Sequence, residues 1–158
     1  MNCSVICVGK CKEKWQTEAC TEYKKRLSRF GSFEIIEVAD LPEPEKAGEA
    51  IERQIMEREG KSILSKIKPN DRVVALCIEG TNPSSAQLAQ KMADWSMDGK
   101  RLVLVIGGSL GLSEEVKSRA DFKLSFSKMT FPHPLMRVIL LEQMYRAMKI
   151  NAGERYHK

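Results

Sequence analysis

Five short apolar runs rich in β-branched residues alternate with longer stretches in which apolar positions recur every three or four residues. Asn2 to Val8, Phe33 to Val38, Arg72 to Ile78, Leu102 to Ile106 and Phe122 to Ser127 read as strands. After the first of them, Trp15, Ala19, Tyr23, Leu27 and Phe30 are spaced by four, four, four and three. This spacing predicts an amphipathic helix over Lys12 to Phe30, with Lys24, Lys25 and Arg29 on its outer face. A second helical pattern opens at Pro42 and Pro44 and runs through Ile51, Ile55, Ile63, Leu64 and Ile67; Gly60 weakens it and Pro69 ends it. Its charges, from Glu43 to Lys61, read as a solvated face. A third helix follows Pro83 with serine caps and buries Leu88, Met92 and Trp95. The alternation predicts an α/β fold, a mostly parallel sheet with helices on both faces, and no linker or repeat divides residues 1–158 into more than one domain.

The final helix breaks the amphipathic pattern. Pro134 suits its first turn, where a missing N–H does no harm, and Leu135, Met136, Val138, Ile139, Leu140 and Leu141 follow around nearly the whole circumference. Only Glu142, Arg146 and Lys149, spaced by four and three, keep one face polar. Such a helix needs either a core around it or a second copy of the chain. A small domain offers little interior, so the expectation is a homodimer through this C-terminal helix.

Charge sharpens the view of that end. The net charge is +5, and residues 128–158 carry six basic residues against two acidic ones, leaving only +1 for the rest. A basic segment of this kind suits a polyanion. No window is long and apolar enough for a membrane span, and the opening MNCSVICVGKCKEKW lacks a signal-peptide layout, so the expectation is a cytoplasmic protein with no membrane partner. Five cysteines, an odd number with no CxxC pair, fit a reducing compartment. Cys3, Cys7 and Cys11 invite a metal reading, but Cys3 and Cys7 sit in an apolar run without a flanking histidine and read as small buried hydrophobes, leaving no metal site expected.

The chemistry concentrates in three loops that follow strands, where open α/β sheets hold ligands. The first, Leu76 to Ser85, turns about Gly80. The second, VIGGSLGLSEE, has Gly107, Gly108 and Gly111 for close backbone approach and Ser113 to cap a helix. Its spacing is not GxGxxG, and two acids in the following first turn, Glu114 and Glu115, would repel a pyrophosphate there. The third, Ser127 to Pro134, mixes the polar Ser127, Lys128 and Thr130 with the apolar Met129 and Phe131, and holds His133 between two prolines. Apolar walls with a few polar groups suit an adenosine-like ligand. From its spacing, His133 reads first as the start of the last helix.

Taken together, LVLVIGGSLGLS, LSFSKMTFPHPLMRVILLEQMYRA and the ending INAGERYHK resemble the family of ribosomal large-subunit pseudouridine N3-methyltransferases, small enzymes of the SPOUT class. The likeness runs nearly end to end, from VGKCKEKW and the Tyr23 to Leu27 run to the terminal Tyr156–His157. The cysteines at 3, 7 and 11 depart from the usual pattern and touch nothing catalytic. The resemblance implies a deep trefoil knot near the C-terminus, which general folding rules would not have suggested. It also implies S-adenosylmethionine as cofactor, held by Leu76, Gly80, Gly107, Gly108, Phe126, Ser127, Lys128, Met129, Thr130 and Phe131. The partner it implies is large-subunit ribosomal RNA or the assembled ribosome. His133, Arg137, Tyr156 and His157 are the catalytic candidates, their roles open, with Arg155 and Lys158 placed toward RNA. The tail from Gly153 to Lys158 is expected to complete the cofactor pocket of the other subunit. Two other readings compete: an oxidoreductase, which lacks its dinucleotide fingerprint here, and a non-catalytic RNA- or ribosome-binding module, which would need no cofactor.

Overall fold

Each of the five apolar runs is a strand in the computed structural model, which describes residues 1–156: β1 (Asn2–Val8), β2 (Ser32–Val38), β3 (Arg72–Thr81), β4 (Leu102–Ile106) and β5 (Phe122–Leu124). All pair in parallel in one sheet of order β2-β1-β4-β3-β5. Alternation along the strands feeds two cores. Cys3, Val5 and Cys7 of β1 with Leu102, Leu104 and Ile106 of β4 face one side, whereas Ile6, Val8, Val103 and Val105 face the other. The first side is covered by α1 (Lys14–Leu27), α3 (Ser85–Ser96) and α5 (His133–Asn151); the second by α2 (Glu49–Leu64) and the short α4 (Glu114–Arg119). Burial on both faces is why β1, β4 and the first half of β3 read as continuous apolar runs, whereas the edge strands β2 and β5 stay partly exposed. At 19 residues, α5 is about 28 Å long.

Several elements differ from their sequence reading for identifiable reasons. The first helix stops at Leu27 and closes with a single 3-10 turn, Ser28–Phe30. Its buried residues are Gln16, Cys20 and Leu27, and Trp15 is 51% exposed, so the true inward face is rotated by about one position. The second helix starts at Glu49, not at the prolines; residues 39–48 form a loop. Its charged face is not wholly solvated, because Glu59 is only 4% exposed. Gly60 next to it is a close-packing point: a Cβ there would lie 2.3 Å from Ser113 Oγ. Ser113 itself caps α4, its hydroxyl accepting from the Val116 N–H, and Ser84 caps α3 in a reciprocal box with Gln87.

β3 runs three residues beyond its expected end, and β5 stops at Leu124. The extra length crosses β5 after a register shift, where the Ser125 N–H donates to the Thr81 carbonyl at 2.8 Å and Asn82 Nδ2 to the Ser125 carbonyl at 3.0 Å. Helix α5 lies against α1 and α3. Leu140, Leu141, Met144, Tyr145, Ala147 and Met148 are buried within the protomer, while Leu135, Val138, Ile139 and Ile150 stay partly exposed. One face of this helix is therefore enclosed by its own protomer, and the other is left partly exposed. Among the described residues no helix is long and apolar enough to cross a membrane.

Candidate active site

The carboxyl ends of β3, β4 and β5 open into one cavity of about 1370 Å³, and all three sequence-identified loops line it. That is above the roughly 300–1,000 Å³ usual for one small ligand. Leu76, Gly107, Gly108, Phe126, Ser127, Met129, Thr130, Phe131 and His133 all reach it. Gly80 and Lys128 do not. Gly80 instead permits the crossing of β3 over β5, since a Cβ there would sit 2.7 Å from the Lys123 carbonyl carbon and oxygen. Lys128 is exposed on the loop.

The glycine turn after β4 is folded on itself. Gly111, at φ +86, donates its N–H to the Gly108 carbonyl at 3.1 Å, and a Cβ on Gly107 would meet the Gly111 carbonyl at 2.7 Å. A side chain at Gly107 is thus excluded by backbone, while Ser109 and Leu110 of the same turn line the cavity with the glycines. The loop after β5 is shaped by its serines: Ser125 Oγ donates to the Ser127 carbonyl at 3.0 Å, and Ser127 Oγ accepts the Met129 N–H at 2.9 Å. The result is an apolar trough, with Met129 72% exposed at its lip.

His133 opens α5, with Pro132 as cap residue and Pro134 in the first turn. It faces Gly9 and Asp40: its Cε1 lies 3.4 Å from where a Cβ on Gly9 would be. Burial holds its imidazole below the ordinary histidine range; Asp40 pulls upward, and Arg137 and Lys12 push it further down. Burial thus favours the neutral ring, which keeps one nitrogen lone pair as an acceptor.

The other catalytic candidates lie elsewhere. Arg137, one turn on, is 2% exposed and tied inward: Nη1 donates to Glu37 Oε1 at 2.6 Å and Nη2 to the Gly9 carbonyl at 2.9 Å. Tyr156 packs edge-on against Tyr145 at 5.0 Å, with Arg146 4.8 Å above its ring. Burial raises its hydroxyl above the usual tyrosine range, with Tyr23 and Glu142 adding to the effect. Although it follows α5 in the chain, its ring folds back onto the middle of that helix, where the hydroxyl donates to Glu142 Oε1 at 3.4 Å. Arg155 is exposed beside it. His157 and Lys158 lie outside the described residues.

Sequence reasoning missed the α2 wall of the cavity, Arg53, Met56, Glu57 and Lys61, and the buried Glu59 behind it. The one available signal was Gly60, whose place in mid-helix marks close packing. Cys3, Cys7 and Cys20 are buried among apolar neighbours, and burial pushes Cys7 and Cys20 up to about 12; Cys11 and Cys77 are half-buried. Among the described residues no three His, Cys, Asp or Glu side chains are grouped to hold a metal ion.

Comparison with known proteins bears on the whole chain. Residues 1–157 match the family model described as "Predicted SPOUT methyltransferase". Proteins named ribosomal RNA large subunit methyltransferase H are 56% identical in Clostridium novyi (strain NT), 55% in Bifidobacterium animalis subsp. lactis (strain AD011) and 53% in Clostridioides difficile (strain 630), each alignment covering all of both chains. Among solved structures, a probable methylase family protein from Haemophilus influenzae Rd KW20 superposes with a TM-score of 0.55 at 11% identity, over 99% of this chain and 70% of that one, a likeness of fold alone.

Proposed function

Because the chain belongs to the SPOUT methyltransferase family, we propose that it transfers a methyl group from S-adenosylmethionine to N3 of a pseudouridine in large-subunit ribosomal RNA. The carrying observation is the convergence of the three strand-end loops on one cavity that contains His133. Methylation of ribosomal RNA is the activity for which the full-length relatives are named. The finer identities of donor and target atom rest on the fit of the cavity and on the resemblance of the motifs.

The cavity fits that donor. Phe126, Met129 and Phe131 supply apolar walls for an adenine ring, and Gly107, Gly108 and Gly111 supply peptide N–H and carbonyl groups with no side chain of their own in the way. When bound, S-adenosylmethionine supplies an electrophilic methyl carbon on a sulfonium. The protein's own task is to orient the base, exclude water and remove the N3 proton. His133 is the described catalytic candidate that lines the cavity, and its neutral ring can take that proton on an imidazole nitrogen. Arg137 acts one step back, holding the first turns of α5 to Glu37 of β2 and to Gly9 just after β1. Lys128, at the loop surface, is available to the RNA backbone, as is Arg155 at the tail.

The tail serves the other protomer's cavity. The ring of Tyr156 is docked on Glu142 and Tyr145, nine and twelve residues along α5 from His133, and it does not line its own protomer's cavity. Two α5 helices paired antiparallel through the partly exposed Leu135, Val138 and Ile139 would bring one protomer's Tyr156 end beside the partner's His133 end. The active form is accordingly a homodimer, each chain one domain, working in the cytoplasm.

The test is transfer of labelled methyl from S-adenosylmethionine to ribosomes with and without pseudouridine, using full-length protein and a chain lacking residues 154–158. The full-length protein labels only pseudouridine-bearing ribosomes. The shortened one binds the donor yet transfers nothing. Equal labelling of both ribosome types would exclude the target atom, and normal turnover by the shortened dimer would exclude the tail's role.

A further inference from the structure

A carboxylate outside the catalytic set is lodged behind the glycine turn. Glu59 projects from α2, and its Oε1 accepts the Leu41 N–H at 3.2 Å. Its Oε2 lies 3.1 Å from the position a Cβ on Gly108 would take. The side chain thus fills the space between two loops: the one after β2, whose Asp40 faces Gly9 and His133, and the turn after β4 that lines the cavity. Its neighbour Gly60 brings α2 against Ser113, at the far end of the same turn. The turn is therefore gripped at both ends from one helix ridge, by a carboxyl group at Gly108 and by close packing at Ser113.

We infer that Glu59 is the positioning residue of the Gly107–Gly111 turn, holding its peptide groups in the arrangement through which the cavity takes the methyl donor. The inference rests on the donor assignment proposed above, and it concerns reach and shape rather than charge. A side chain of the same length keeps the acceptor for Leu41 and the contact at Gly108. One methylene less withdraws both. Burial, aided by Asp40, pushes the Glu59 carboxyl above its ordinary range while the Leu41 bond pulls it back, consistent with a group that need not be ionised to act.

Glu59→Gln and Glu59→Asp separate shape from charge, and Gly108→Ala strains the same contact from the other side. Two readouts are taken on the full-length protein. One is hydrogen exchange of the Gly111 amide, which bonds the Gly108 carbonyl, against the Asp121 amide, which bonds Val73 across the sheet. The other is calorimetric titration with S-adenosylmethionine. Glu59→Gln should leave both within threefold of the wild type. Glu59→Asp and Gly108→Ala should speed Gly111 exchange and raise the donor Kd at least tenfold, with Asp121 unchanged. The inference fails if Glu59→Asp matches the wild type, if Asp121 exchange rises in step with Gly111, or if Glu59→Gln is the damaging change and Glu59→Asp the harmless one. If Gly111 responds as expected but wild-type protein binds no S-adenosylmethionine, the donor assignment falls and the hold of Glu59 on the turn remains.

Discussion

Removing Glu37 should destabilise the protein more than removing Arg137, although Arg137 is the larger and more deeply buried of the two. Arg137 is 2% exposed and donates two hydrogen bonds, 2.6 Å to Glu37 and 2.9 Å to the Gly9 carbonyl, while its Nε has no hydrogen-bond partner among the described residues. Glu37→Ala leaves that cation in place with one neutral acceptor. Breaking a buried ion pair by removing one partner costs about 3–5 kcal/mol, and because the Glu37 side chain is 34% exposed, water can partly take its place. The expected cost is therefore near the low end, about 3 kcal/mol. Arg137→Met is different. It keeps most of the stem packing, removes the charge, and frees Glu37 to hydrate, leaving chiefly the Gly9 carbonyl unpaired at about 1–3 kcal/mol. For a chain of this size 1 kcal/mol moves Tm by about 2–4 °C, so Glu37→Ala should lower it by about 6–12 °C. Urea unfolding at one fixed protomer concentration gives the comparison, since a dimer's stability depends on concentration. The double variant should resemble Arg137→Met alone. If Arg137→Met proves the costlier single change by more than about 1 kcal/mol, the bonds and packing of the guanidinium outweigh the stranded charge and this account of its burial is wrong.

Two further changes probe other contacts. Gly80→Ala should prevent β3 from crossing β5, because the new methyl would lie 2.7 Å from the Lys123 backbone; the expected outcome is loss of soluble folded protein, and a normal yield with unchanged Tm would show that the crossing can shift. Asp71 is buried beside Arg101 and accepts the Lys68 N–H at 2.7 Å; burial raises its carboxyl, but Arg101 and the Lys68 bond outweigh this and hold it below the ordinary range. A depressed carboxyl adds stability above its unfolded value and loses it as pH falls through the folded one. Asp71→Asn should thus cost about 3 kcal/mol at pH 7 and progressively less below about pH 4, and a difference that stays constant between pH 7 and pH 3 would contradict the pairing.

What the sequence made legible was whatever depends on local pattern. Strands buried on both faces announce themselves as unbroken β-branched runs, and Ser84 and Ser113 announce helix starts because few other residues satisfy orphan N–H groups. The glycine turn and the loop at Ser127 to Phe131 were found because both follow strands, and both line the cavity. What stayed hidden depends on contacts across the sheet. Trp15 and Gln16 differ by one position on a helix, and only the packing of α5 decides which of them turns inward. Arg137 reads as a functional cation until Glu37 and Gly9, 100 and 128 residues away in the chain, are seen around it. Glu59 reads as one charge in a solvated ridge, and nothing local reveals that Leu41 and Gly108 enclose it. Gly80 looks like a flexible loop point when its actual need is for space.

The crossing of β3 over β5 also sets an order of events during synthesis on the ribosome. Asn82 and Ser125, bonded at that crossing, are 43 residues apart, so the tip of β3 emerges with open N–H and C=O groups and no strand to meet them. At about 5–20 residues per second, that edge waits roughly two to nine seconds before its partner is made. Nascent chains stalled within that window carry a ready template for intermolecular pairing, and their vulnerability to aggregation should end abruptly once residue 125 clears the exit tunnel.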